Sequence, residues 1–175
     1  MNIPLCKPSI ENKEITLISK LLKSSFDKRD LFPLHEPIFS GNELKYVNSA
    51  IESTFVSSIG DYIVSLENKI SSYTKNKYSI ACVNGTAALH TSLILAGVKQ
   101  GEEVLTQALS FVATSNAISY LGSKPIFIDV DIDTMGMCPR ALEDFLDENT
   151  VTLEGGAINK KTGKKISACV PMHTF

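Results

Sequence analysis

The sequence predicts an α/β domain with a mostly parallel sheet, preceded by an N-terminal helical arm. Two observations predict the domain. From residue 78 onward, short β-rich runs alternate with segments of helical spacing, the order that βαβ units produce. Those runs are apolar at consecutive positions, as strands covered on both faces must be. One observation predicts the arm: before residue 78 the pattern is helical and broken by prolines.

The domain elements follow in order. YSIACV (78–83) reads as a strand. TAALHTSLILAG (86–97) has apolar residues at helical spacing and stops at Gly97. EEVLTQ (102–107) reads as a strand, and SFVATSNAISYLG (110–122) as a helix ending at Gly122. KPIFIDVD (124–131) is a strand with a β-branched and aromatic core. PRALEDFLDEN (139–149) is a helix with proline in its first turn. TLEGGAINKKTGKK (152–165) interrupts the rhythm, and its glycines and lysines suggest a solvated hairpin or loop, with a basic anion site as the alternative. ISACVPM (166–172) is the last strand.

The region before residue 78 contains a weak internal repeat, whose second copy runs into the domain. Residues 3–26 lie over residues 32–55 at an offset of 29, with Pro4, Leu5, Pro8, Glu14, Ser24 and Phe26 returning as Pro33, Leu34, Pro37, Glu43, Ser53 and Phe55. Each copy is an extended Pro-x-x-x-Pro stretch followed by a Glu-led amphipathic helix. Chance likeness of two amphipathic helices and a short duplication or fusion both account for it. The expected organisation is an arm over 1–31 and a domain over 32–175.

Composition narrows the function classes. The chain has 175 residues, enough for one ordinary domain, with 43% hydrophobic and 21% charged residues. Its formal net charge of −2 supplies no basic field for nucleic acid or an anionic membrane surface. Apolar runs such as ISACVPM are too short to cross a bilayer. The N-terminus MNIPLCKPSIENKE has charges and prolines where a signal peptide needs an apolar core, so a cytoplasmic location is expected. The four cysteines (Cys6, Cys82, Cys138, Cys169) form no C-x-x-C pair, so no metal site is expected. Cys82 and Cys169 lie in apolar runs and are expected to be buried free thiols.

Three stretches could carry chemistry. VNGTAALH (83–90) places Asn84, Gly85 and Thr86 after a strand and at the mouth of a helix. In a parallel sheet that is the ligand-binding edge. Helix N-terminal N–H groups and the helix dipole favour an anion there. A plain helix cap explains the same residues, and no Walker loop is present. TQALSFVATSNAI (106–118) brings Phe111 to the next such mouth, where an aromatic ring can face a cleft or fill the core. IFIDVDIDTMGM (126–137) carries Asp129, Asp131 and Asp133 at a spacing unlike an EF-hand, and they read as strand-end and turn residues.

These blocks, with KPIFIDVDIDTMGM and ACVPMHTF in this order, resemble the N-terminal half of the DegT-type nucleotide-sugar aminotransferases. FPLHEPIFSGNE and STFVSSIGDYIVSLE resemble most the subgroup on the way to legionaminic acid and related sugars. The resemblance covers about residues 31–175. It implies a partial three-layer αβα large domain of a fold-type-I, pyridoxal 5′-phosphate (PLP) dependent enzyme. It implies PLP as cofactor, a 4-keto-6-deoxy nucleotide sugar and glutamate as substrates, and a homodimer for the intact enzyme. Asn84, Gly85 and Thr86 match the phosphate turn, and Phe111 matches the ring that stacks on the pyridine. Asn116 falls in the same helix mouth. Ser57, Ser58 and Gly60 match the sugar-side segment, and His173 ends the last strand at the same edge.

The same resemblance implies a lysine that holds the cofactor as a Schiff base and an aspartate that pairs with the pyridinium nitrogen. Both fall downstream of the ACVPMHTF block. Lys160, Lys161, Lys164 and Lys165 match neither. The expectation is therefore an N-terminal portion with no catalytic residue and no transaminase activity alone. Two other readings stay open: a non-catalytic binding module that keeps the phosphate turn, and a PLP-dependent sugar dehydratase relative.

Overall fold

The computed structural model describes residues 12–25 and 37–173. The chain divides into two compact units, Met1–Val56 and Ser57–Phe175. The first holds two helices, α1 (Asn12–Ser25) and α2 (Glu43–Glu52). The apolar stripes of the repeat survive in them: Ile15 and Ile18 of α1 and Leu44 and Val47 of α2 occupy matching positions, all exposed. Pro4, Leu5, Pro8, Phe26, Pro33 and Leu34 lie outside the described residues.

The second unit runs α3 (Asp61–Thr74), α4 (Gly85–Leu95), β1 (Glu103–Gln107), α5 (Val112–Tyr120), β2 (Lys124–Ile128), α6 (Pro139–Asn149), β3 (Thr150–Leu153), β4 (Gly156–Asn159) and β5 (Ile166–Val170). The main sheet has the order β2-β1-β5, with both pairings parallel. β3 and β4 form a separate antiparallel hairpin directly after α6. The expected hairpin before the last strand is thus present, and it begins two residues earlier.

Local chemistry accounts for the boundaries. Asn84 caps α4 by accepting from Ala87 N at 2.8 Å. Gly97 ends α4 in the left-handed region (φ 85°), with its N–H on Ile94 O and Val98 N–H on Leu93 O. Gly122 (φ 70°) turns the chain after α5, where an added Cβ would stand 2.8 Å from Gln100 Cγ. Pro139 opens α6, where its missing N–H is not needed.

β1 is the centre. All five of its residues are buried. The register sets Val104 opposite Pro125 and Ala168, so these share a face. On that face Leu93, Val98, Val104, Ala117 and Ile118 form the core, with Leu89, Leu121, Ala168 and Val170 packed against it. Burying side chains of this size stabilises by roughly 1.5–3 kcal/mol each. On the other face Glu103 is fully buried and accepts from Asn159 Nδ2 at 2.8 Å, which ties the hairpin to the sheet. Its Oε1 has no partner among the described residues.

Three expectations are corrected. Residues 78–83 form no strand: Ile80 is 82% and Val83 88% exposed, and no described strand pairs with them. A run of β-rich residues becomes a strand only when a neighbour satisfies its backbone. The N–H of Ala81 instead meets Glu67 Oε1 at 2.8 Å. Cys82, in this run, is consequently exposed rather than buried. Cys169 is also exposed, because β5 is the outer strand on its side among the described residues, although its Sγ lies 3.7 Å from Met137 Sδ.

Candidate functional site

The three parallel strands end together at Gln107, Ile128 and Val170, and this carboxyl edge is where the candidate residues gather. α5 leaves that edge after β1, and α4 returns to the opposite edge before β1. Two contacts show that the helices run parallel. Gly101 N–H donates to Gly122 O at 2.9 Å where the chain exits both helices. His90 Nδ1 meets Ala117 O at 3.3 Å, joining the sixth residue of each helix. The two N-caps, Asn84 and Phe111, therefore stand at the same level of the same edge.

Asn84 commits its Oδ1 to the cap, which leaves its Nδ2 without a partner among the described residues. The N–H groups of Gly85 and Thr86 precede the first intrahelical bond and have no acceptor among the described residues. Gly85 has no positive φ, and a Cβ added there meets nothing within 4 Å. Neither backbone strain nor packing requires glycine at this position. The space over the first turn of α4 is open.

Phe111 is 74% exposed, so it does not fill the core. It caps α5 with extended backbone and no side-chain cap bond. Beside it, Ser110 Oγ donates to Thr114 Oγ1 at 2.7 Å. Asn116 sits half-buried in the second turn of α5. His173 is exposed just past β5. Ser57 and Ser58 are exposed before α3, Ser57 Oγ accepts from Ile59 N at 3.3 Å, and Gly60 caps α3. No hydrogen bond among the described residues joins this segment to the α4–α5 edge.

The remaining candidates serve structure. Asp131 Oδ1 accepts from Thr134 N and Asp133 N, both at 2.9 Å. These bonds, Thr134 first, hold its carboxyl below the usual carboxylate range. Lys160 Nζ donates to Glu148 O at 3.0 Å and Asp147 O at 3.3 Å, at the end of α6. Lys165 precedes β5, and its carbonyl accepts from Glu103 N at 2.8 Å. The lysine loop thus lies at the amino edge of the sheet, opposite Asn84.

Sequence reasoning missed Gln107, the last residue of β1. Its side chain is fully buried and reaches three loops: Nε2 donates to Leu109 O at 3.0 Å and Met135 O at 3.2 Å, and Oε1 accepts from Met172 N at 3.1 Å. The only signal was a primary amide inside an apolar run, immediately before a turn.

This is the α/β fold of PLP-dependent aminotransferases, a mostly parallel sheet with helices. Among solved structures, a DegT DnrJ EryC1 StrS aminotransferase from Brucella abortus matches with TM-score 0.62 and 28% identity, over 74% of this chain and 32% of that one. The chain belongs to the DegT/DnrJ/EryC1/StrS aminotransferase family, whose model matches residues 37–174. A GDP-perosamine synthase of Escherichia coli O157:H7 is 38% identical over 118 residues, 67% of this chain and 32% of the relative. A protein of Bacillus subtilis named as a pyridoxal phosphate-dependent aminotransferase is 39% identical over 115 residues, 66% of this chain and 30% of the relative. The chain spans about a third of the length of the curated relatives it matches. PLP is the cofactor of the family. Among the described residues no helix is long and apolar enough to cross a membrane.

Proposed function

We propose that this chain is the cofactor-binding N-terminal portion of a PLP-dependent aminotransferase acting on a nucleotide-linked keto sugar. The observation that carries this reading is Gly85. The protein's own backbone and packing do not need glycine there, yet the glycine leaves open space over two uncommitted N–H groups. Those groups suit a phosphate: N–H donors at a helix N-terminus, aided by the dipole, bind an anion without a basic side chain.

In this reading Gly85 and Thr86 N–H, the Thr86 hydroxyl and Asn84 Nδ2 hold the cofactor's phosphate. The exposed Phe111 ring covers one face of its pyridine, and Asn116 lies one turn further into α5. When bound, PLP supplies an electron sink that lets an amino group move between an amino acid and a carbonyl carbon. The protein's part here is to bind and orient. The loop of residues 160–165 lies at the opposite edge, so none of its lysines is proposed as the proton-transferring base. The chain alone is accordingly expected to lack transaminase activity.

The substrate proposed is a 4-keto-6-deoxy nucleotide sugar with glutamate as amino donor, in the subgroup related to legionaminic acid. The nucleotide-sugar class is supported by relatives named GDP-perosamine synthase. Ser57, Ser58, Gly60 and His173 are proposed to face the sugar. A cytoplasmic homodimer is proposed for the intact enzyme. Residues 1–31 are proposed to be an arm that repeats the start of the domain, since the family match begins only at residue 37.

The test uses pyridoxamine 5′-phosphate, which has no aldehyde to react with surface lysines, against pyridoxamine. Gly85→Ala keeps the fold, because the added Cβ meets nothing and alanine favours a helix. The expected result is preference for the phosphorylated ligand by about tenfold or more, lost in Gly85→Ala. Equal affinity for the two ligands, or wild-type binding by Gly85→Ala, would overturn the assignment.

A further inference from the structure

A fully buried primary amide is costly unless its donors and acceptor are met. Gln107 meets this demand in an uncommon way. Its three partners belong to three different segments: the turn into α5 (Leu109), the loop after β2 (Met135) and the exit from β5 (Met172). The two carbonyls can only accept and the Met172 N–H can only donate, so the orientation of the amide is fixed. All three segments leave the carboxyl edge of the sheet. Phe111 follows Leu109 by two residues, and His173 follows Met172 by one.

We propose that Gln107 is a positioning residue for the cofactor-facing edge. Its side chain clasps the three loops so that Phe111 is held at the level of the open N–H groups of Gly85 and Thr86. Glutamine is required because one planar group must give two donors and one acceptor from the strand end. Glutamate keeps the acceptor and loses both donors. Methionine has the volume and loses all three bonds. The proposal rests on the reading of this edge as the PLP site.

The experiment compares the wild-type full chain with Gln107→Glu and Gln107→Met by amide hydrogen exchange and by pyridoxamine 5′-phosphate affinity. Three amides report: Met172 on Gln107 Oε1, Met135 on Asp131 O, and Thr114 on Phe111 O. In Gln107→Glu, Met172 is expected to stay protected while Met135 and Thr114 exchange about tenfold faster. In Gln107→Met all three loosen. Both variants are expected to bind the ligand about tenfold more weakly, with the amide of the core residue Ile118 as protected as in wild type.

Unchanged exchange at Met135 and Thr114 in both variants would overturn the clasp. Loosening that extends to Ile118 in both would also overturn it, since that is a general structural role. Loop release with undiminished affinity would sever the clasp from the site. The two readings separate cleanly. A wild type that ignores the ligand while the exchange split is present refutes the cofactor site. A wild type that binds while the split is absent refutes the positioning role.

Discussion

β1 and residues 78–83 are both short runs that read as strands, and they end in opposite states. EVLTQ is buried at every position and hydrogen-bonded on both sides. YSIACV is more apolar, yet Tyr78, Ile80 and Val83 are each at least 75% exposed. The first even tolerates a glutamate, a threonine and a glutamine in its interior, because each finds a partner: Glu103 on Asn159, Thr106 on Val170 O and Gln107 on three loops. Strand formation is therefore a property of neighbours more than of residues. Apolar character selects a segment for pairing, but backbone satisfaction decides whether pairing happens.

The widest expected difference is in packing. Ile118→Ala should lower the unfolding free energy by about 3 kcal/mol, because a filled core site becomes a cavity. Ile80→Ala should change it by less than about 0.5 kcal/mol. Urea unfolding of both variants checks the contrast. An Ile80→Ala loss as large as that of Ile118→Ala would mean that residues 78–83 are paired in solution.

The polar interior of β1 gives the next effect. Asn159→Ala removes the one donor that the Glu103 carboxyl has among the described residues, leaving that buried group alone. A loss of about 2 kcal/mol is expected, and the paired change Glu103→Leu with Asn159→Leu should recover most of it. If the single and double variants are equally unstable, the pair does not anchor the hairpin.

The mildest test compares two thiols. Cys82 lies in the unpaired run, while Cys169, although exposed, has its Sγ 3.7 Å from Met137 Sδ, and partial desolvation pushes its thiol up from the usual pKa. A raised thiol pKa means less thiolate at a given pH, so Cys169 stays in the slow, protonated form longer. At about pH 8, iodoacetamide should label Cys82 faster, and the Cys169 rate should climb only at higher pH. Labelling Cys169 as fast as Cys82 would show that β5 does not shield it.

Much of the fold is legible in the residues. The helix over 86–97 shows in its apolar spacing and in Gly97, and the structure starts and stops it within two residues of those marks. Proline at 139 and the glycine-rich break before residue 166 mark α6 and the hairpin in the same way. The Asp129–Asp133 cluster is read as turn chemistry, and Asp131 does cap a turn. The candidate edge is legible in part. Asn84, Gly85 and Phe111 are singled out by their place after strand-like runs, although one of those runs forms no strand. Gln107 was not legible, because a glutamine's partners lie 28 and 65 residues away in sequence.

Sequence alone determines the local events: where helices start and stop, which runs seek a sheet, and that a glycine and a hydroxyl stand at a helix mouth. Those follow from backbone conformational preference and from side chains within a few residues of one another. Tertiary structure alone decides which apolar runs are paired, that α4 and α5 bring Asn84 and Phe111 to one level, and that the lysine loop faces away from them. Each of these depends on contacts between residues far apart in the chain, where the free energy of burial and of hydrogen-bond satisfaction is settled jointly. For Gly85 the two levels meet. Its position is written in the sequence, and the open space over the first turn of α4, on which the proposed phosphate site rests, is seen only in the structure.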